Sequence, residues 1–139
     1  MIDGVLLKPT RTAQSAKGDV HCIMKPGDPG YCDIVETYFT TINPGAIKAW
    51  KRHRQMTLNL VVPFGKVLVF IHDDRKESST CGLAWDVELS LGNYRLTIPP
   101  GLWFGFRGQQ WSVMLNLADI AHDPLECETL PEDFQFGEK

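Results

Sequence analysis

Short apolar runs, each closed by turn residues, fill most of this chain. "DIVETYFTTI" runs into the turn "NPG", "MTLNLVV" into "PFG", and "KVLVFIHDD" into the charged loop "RKESSTCG". "LAWDVELS" ends at "LGN", "YRLTIP" at "PG", "LWFGF" at "RGQQ" and "SVMLNLADI" at "AHDP". β-Branched and aromatic side chains suit a pleated, half-buried surface, and Gly, Pro and Asn interrupt it about every ten positions. No stretch carries the roughly 3.6-residue periodicity of an amphipathic helix over several turns. The pattern predicts an all-β domain, an antiparallel sandwich or barrel.

Alternation within the runs assigns faces. In "YRLTI", Tyr94, Leu96 and Ile98 share one side, and Arg95 and Thr97 the other. In "KVLVFIH", Val67, Val69 and Ile71 oppose Leu68, Phe70 and His72. Both of its sides are apolar, so this strand should be covered on both faces. The stretch "GAIKAWKRHRQ" carries Lys48, Lys51, Arg52, His53 and Arg54. Strict alternation sets Ile47, Ala49, Lys51, His53 and Gln55 against Lys48, Trp50, Arg52 and Arg54. With the first set facing a barrel mouth, Lys51 and His53 point into a pocket; otherwise they are solvated heads on an edge strand. "KPGDPGYCD" (residues 25 to 33) reads as a loop, and the acidic tail "PLECETLPEDFQFGEK" as a short helical turn or a loose end.

Length and charge narrow the picture. The 139 residues suit a single domain spanning 1–139, large enough for a core without staples. The net charge of −3 argues against nucleic acid as a partner and makes the basic cluster a local feature, fit for a small anionic ligand. No apolar run approaches the roughly 18 residues of a membrane span, and the N-terminal stretch lacks the apolar core of a secretory signal. Cys22, Cys32, Cys81 and Cys127 show no C-x-x-C spacing and read as reduced thiols. A cytoplasmic protein that binds neither membrane nor nucleic acid is the expectation.

"GNYRLTIPPGLWFGF" resembles the second half-motif of the cupins, a glycine, a strand, then Pro99 and Gly101. Many metal cupins place a histidine where this chain has Phe104, and a His-x-His pair where it has Lys51 and His53. A protonated lysine repels a divalent cation, so no metal is expected. "GKVLVFIHDDRKESSTCGLAW", "LSLGNYRLTIPPGLWFGF" and "HDPLE" together are similar to the dTDP-4-dehydrorhamnose 3,5-epimerase family, a metal-free branch of the cupins. The resemblance covers about residues 37 to 131. Arg75, Thr80, Gly82, Trp85, Ser90, Asn93, Pro99, Gly101, Gly105 and Phe106 match it. It implies a double-stranded β-helix (jelly-roll barrel), a homodimer, no cofactor, and a nucleotide-sugar ligand. The match sets the family's catalytic histidine at Lys51, and its tyrosine-bearing stretch at "LNLADIA", which holds no tyrosine.

The resulting functional expectation is an epimerase or isomerase acting on a dTDP-linked 4-keto-6-deoxysugar, in lipopolysaccharide or other glycan biosynthesis. The alternative is a non-catalytic sugar-nucleotide binding or partner protein that has lost the acid and base. The catalytic candidates are His53 as base and Lys51 as the group that polarises a ketone. The substrate-binding candidates are Lys48, Asn59, Arg75, Trp103, Phe106 and Asn116. Arg75 reads equally as a phosphate fork or a surface arginine paired with Asp73 or Asp74. Asn59 reads as a buried amide or a sugar contact, and Trp103 and Phe106 as packing or a stacking platform.

Overall fold

The computed structural model describes residues 1–137. The strands are β1 (Leu6–Pro9), β2 (Arg11–Ala13), β3 (Val20–Cys22), β4 (Glu36–Ile42), β5 (Ile47–His53), β6 (Leu58–Phe64), β7 (Lys66–His72), β8 (Ala84–Ser90), β9 (Tyr94–Ile98), β10 (Trp103–Gly108), β11 (Ser112–Ala118) and β12 (Cys127–Thr129). A single 3-10 turn, Pro124–Glu126, is the one helical piece among the described residues. No helix there is long and apolar enough to cross a membrane.

Two five-stranded antiparallel sheets face each other, ordered β1-β9-β6-β11-β4 and β12-β5-β10-β7-β8. This is the antiparallel sandwich that the strand and turn pattern predicts, in the double-stranded β-helix form that the resemblance implies. β2 and β3 form a separate two-stranded ribbon. The alternation in β7 points Val67, Val69 and Ile71 into the core with no exposure. Leu58, Leu60, Leu96, Ile98 and Met114 meet them from the opposite sheet. Burial of such side chains is worth about 1.5–3 kcal/mol each, and supplies the main force closing the sandwich. One end of the space between the sheets is left unfilled, and the site lies there.

Three local expectations change. Arg95 and Thr97, on the non-core side of β9, are buried as well, at 3% and 4% exposure. The loop before β4 covers them. Arg95 donates to Asn59 Oδ1 (2.7 Å), Thr97 Oγ1 (2.8 Å) and the Pro29 carbonyl (2.6 Å). Gly30 makes this approach possible: its φ is +80°, and a Cβ there would sit 2.7 Å from Thr97 Oγ1.

In the acidic tail the expected short helical turn forms at Pro124–Glu126, and a strand that was not expected follows it. After the 3-10 turn, capped by Asp123 accepting from the Leu125 amide, the tail adds β12 to the edge of β5, with Cys127, Glu128 and Thr129 opposite His53, Arg52 and Lys51. The alternation in β5 also fails at one point. Phe104 pairs with Lys51 and Phe106 with Lys48, so β5 holds one extra residue between those pairs. The bulge turns Lys48 to the same side as Lys51 and His53.

Candidate active site

The unfilled end of the sandwich is a cavity of about 430 Å³. One wall comes from β5, with Lys48, Lys51 and His53, and from β10, with Phe104 and Phe106. The facing wall comes from β4, with Glu36, Tyr38 and Thr40, and from β11, with Met114 and Asn116. Leu58 and Leu60 form the apolar floor, and His122 and Cys127 complete the lining.

His53 is 7% exposed, and its Nδ1 pairs with the carboxylate of Glu126, which is equally buried. The second oxygen of Glu126 accepts backbone N–H groups from Arg54 (3.1 Å), Gln55 (2.9 Å) and Met56 (3.2 Å). Burial by itself would push the Glu126 carboxyl up. The Gln55 amide, the His53 ring and the Met56 amide together outweigh it and hold Glu126 below the ordinary glutamate range. An ionised Glu126 fixes the imidazole tautomer with the proton on Nδ1, which leaves the Nε2 lone pair for the cavity. The ring of Phe104 stacks on His53, with centroids 5.6 Å apart and planes inclined by 16°. Such a pair has the chemistry to act as a general base held in orientation by a carboxylate.

On the facing wall, Tyr38 and Asn116 are direct cross-strand partners. Asn116 Nδ2 donates to the Tyr38 hydroxyl oxygen (2.9 Å), while its Oδ1 accepts the backbone N–H of Asn59 (3.1 Å). The lysines stand at the open side. Lys48 Nζ donates to the Thr41 carbonyl (3.0 Å). Among the described residues neither Lys48 nor Lys51 has a carboxylate within ion-pair distance. The cavity therefore combines an oriented base, a phenol on the opposite wall and two cations. Among the described residues no three His, Cys, Asp or Glu side chains converge as a metal would require.

Five of the eight residues singled out from the sequence meet here: His53, Lys51, Lys48, Phe106 and Asn116. The other three lie elsewhere, each held by protein partners. Asn59 accepts from Arg95 and from Thr97 Oγ1 (2.6 Å) beneath the loop before β4, so its amide is structural. Arg75 caps a polar knot: Asp73, fully buried, accepts from the Arg75 guanidinium, Ser78 Oγ (2.6 Å) and Thr80 Oγ1 (2.7 Å). Burial opposes ionisation of Asp73, yet the bonds from Arg75, Ser78 and Thr80 hold its carboxyl far below the usual range. Trp103 lies on the outer side of its sheet. It donates Nε1–H to Asp74 (2.9 Å) and carries the Arg52 guanidinium 4.4 Å above its ring.

Sequence reasoning missed Glu126 and Tyr38. Tyr38 shares a strand face with Glu36 and Thr40 at period two in "ETYFTT", so a signal was present. Glu126 lies 73 positions from His53, and no local spacing connects them. Its one signal was the ending of the matched stretch "HDPLE".

The fold has close counterparts among solved proteins. A dTDP sugar isomerase from Desulfovibrio desulfuricans G20 superposes with a TM-score of 0.89 at 32% identity, over 95% of this chain and 87% of that one. The dTDP-4-dehydrorhamnose 3,5-epimerase of Sulfolobus tokodaii, at 21% identity, shares the fold with a TM-score of 0.86 over 99% of this chain and 83% of that one. Among curated proteins, a probable low-salt glycan biosynthesis epimerase of Haloferax volcanii is 31% identical over 91 residues, 63% of this chain. The aligned part spans 58% of that relative's length. No family model matches the chain. The ordered motifs, the jelly-roll topology and the 32% identity to a solved sugar isomerase along nearly the whole chain agree, and the chain belongs to the dTDP-4-dehydrorhamnose 3,5-epimerase-like family as a divergent member.

Proposed function

We propose that this protein is an epimerase or isomerase that moves a proton beside the ketone of a dTDP-linked 4-keto-6-deoxysugar, for a surface polysaccharide or another glycan. One observation carries the reading: His53, buried at the cavity wall, is oriented through Nδ1 by the ionised Glu126. A C–H bond next to a ketone is only weakly acidic. Its removal needs a positioned base and a means of stabilising the enolate oxygen. Nε2 of His53 takes the proton, and the C–H electron pair moves toward the ketone oxygen. The ammonium groups of Lys51 and Lys48 supply positive charge for that oxygen and for the diphosphate. Phe106, with Leu58 and Leu60, gives the sugar ring an apolar bed.

The non-catalytic alternative rested on missing histidines and a missing tyrosine. A base–carboxylate pair and a phenol in the same cavity favour the enzyme. A cytoplasmic homodimer completes this reading. It is supported by four free cysteines and by the large apolar side chains exposed outside the barrel, among them Phe39, Phe64 and Trp111.

The test is carbon-bound proton exchange. A dTDP-4-keto-6-deoxyhexose is incubated with the protein in deuterated water, and the positions flanking the ketone are followed by NMR. Protein-dependent deuterium uptake is the expected result, with His53→Asn lowering it by about 10³-fold. Binding of the nucleotide sugar with no uptake above background would overturn the enzyme reading for this substrate.

A further inference from the structure

β12 has three residues and lies at the edge of its sheet, paired with β5 on one side only. So short an edge strand opens readily unless something outside its own ladder fastens it. The turn that leads into it carries Glu126, the partner of His53. Whatever keeps β12 on β5 therefore bears on the base, and this inference rests on the epimerase reading to that extent. The Arg52–Glu128 pair is one fastening, and solvent screens it. The segment after β12 supplies another.

Leu130 prolongs the ladder by one pair, exchanging backbone bonds with Trp50 at 3.0 and 3.1 Å. A turn follows, closed by the Phe134 amide on the Pro131 carbonyl (3.0 Å), and the chain folds over the outer side of the sheet. There the Phe136 ring stacks on His72, with centroids 3.9 Å apart and planes inclined by 17°. It meets Trp50 edge-on at 5.0 Å and lies 6.3 Å from the Trp103 ring. These partners belong to β7, β5 and β10, so one side chain reaches from the edge strand across the three strands beside it. His72 and Trp103 project from the outer side, yet they are only 8% and 5% exposed. Phe134 is different: it is 40% exposed, and Phe136 is its one ring neighbour among the described residues.

We propose that Phe136 is a positioning residue: docked against Trp50, His72 and Trp103, it holds β12 on β5, and through β12 it holds Glu126 against His53. Aromatic pairs at such separations attract beyond the area they bury, and salt does not screen that attraction. The route is short. Leu130 adjoins β12, and Cys127 at the other end of β12 stands opposite His53 and directly follows Glu126. With Phe136 undocked, β12 opens more often, and in the open state the imidazole loses the carboxylate that fixes its tautomer. Phe136 touches no ligand, so the loss should fall on the rate and not on binding.

Phe136→Ala in the full chain tests this with three readouts. By hydrogen exchange, the Leu130 and Trp50 amides should exchange about tenfold faster, while the Val69 amide in β7 keeps its wild-type rate. By nitrogen NMR of the imidazole, the share of His53 with its proton on Nδ1 should fall. Deuterium uptake by the dTDP-4-keto-6-deoxyhexose should slow by about fivefold to tenfold in kcat, with KM changed by less than about twofold. Phe136→Tyr, which keeps the ring, should restore all three, and Phe134→Ala should move each of them far less.

Faster exchange at Leu130 and Trp50 with His53 and the uptake rate unchanged would make Phe136 a packing residue only and overturn the proposal. Slower uptake with those amides unmoved would overturn it as well, and so would no change in any readout. If Phe136→Ala does not fold, Phe136→Leu is held to the same outcomes. The amide and imidazole readouts need no sugar. If the wild type takes up no deuterium, the epimerase reading fails, and those two readouts still decide whether Phe136 holds Glu126 against His53.

Discussion

The two sides of β5 carry the same kind of charge to opposite ends. On the inner side, Lys48, Lys51 and His53 line the cavity. On the outer side, Arg52 pairs with Glu128 and with Asp74 at 3.1 Å, and Arg54 pairs with Glu128 at 2.8 Å. Arg54 also donates to the Leu125 carbonyl at 2.7 Å. The outer cations are neutralised by fixed carboxylates and fasten β12 to the sheet. The inner lysines meet no carboxylate among the described residues, and in the proposed function their charge serves the ligand. Basic residues on one strand thus divide by what faces them, and a count of cations reveals neither role. The sides are linked, because β12 follows directly on Glu126, the partner of His53.

The largest effect should come from the inner side at that link. Glu126→Gln removes the charge that orients His53 while leaving an oxygen for the backbone amides. The rate of proton exchange should fall by about 100-fold or more, with KM nearly unchanged, as measured by deuterium uptake. The acid limb adds a second readout. Glu126 has a folded pKa held below its ordinary value of 4.5, so its contribution to stability is present above that value. It is lost as pH falls through the folded value. In the wild type, urea midpoints should therefore drop as pH falls below about 4.5, and Glu126→Gln should flatten that slope. An equal slope in both proteins would show that folding leaves the Glu126 carboxyl unshifted, so that its ionised form gains nothing from His53 and the backbone amides.

The lysines come next. Lys51→Ala should weaken binding of the nucleotide sugar by about 1–3 kcal/mol, the worth of a charge-assisted bond, and Lys48→Ala somewhat less. The melting temperature should hardly move, since both side chains are exposed and change no packing. Calorimetry and a thermal melt on the same samples check both halves. A large loss of stability with binding intact would make the inner lysines resemble the outer arginines, and the contrast would collapse.

How much of this was legible beforehand follows the same division. The fold could be read because it is repeated: turn residues close each strand, and alternation in β7 and β9 places the core correctly. His53 and Lys51 were placed because strict alternation holds at the end of β5. Lys48 was misplaced by a bulge that depends on pairing with β10, which is a tertiary fact. Asn59 and Arg75 are polar residues in strand and loop positions that suit a site; Asn59 is satisfied by a residue that only the fold brings near, and Arg75 by Asp73, the neighbour its other reading named. Arg95 reaches Asn59 across 36 positions, and Asp73 holds Arg75 within a loop whose conformation the sequence did not reveal. Trp103 takes the packing role that was one of its two readings, on the outer side of its sheet against Arg52 and Asp74. Glu126 stayed hidden because a tail that reads as acidic and irregular folds back as an edge strand. The relation that matters is the contact between the turn before that strand and the end of β5.

The smallest effect should come from the outer clamp. Arg52 and Glu128 are each partly exposed, at 28% of their side-chain surface, so solvent screens their attraction. A double-mutant cycle with Arg52→Ala and Glu128→Ala should give only a small coupling in urea unfolding, shrinking as salt is raised. Arg52→Ala alone should cost more than the coupling, because the guanidinium also covers the Trp103 ring and meets Asp74. Proton exchange should fall only slightly in either single variant, since the three-residue pairing of β12 with β5 and the backbone bonds to Glu126 remain. If instead exchange fell as far as in Glu126→Gln while stability barely changed, the outer pair would be what holds Glu126 against His53. The two sides of β5 would then work as one unit, with the arginines acting on the chemistry through the strand they fasten.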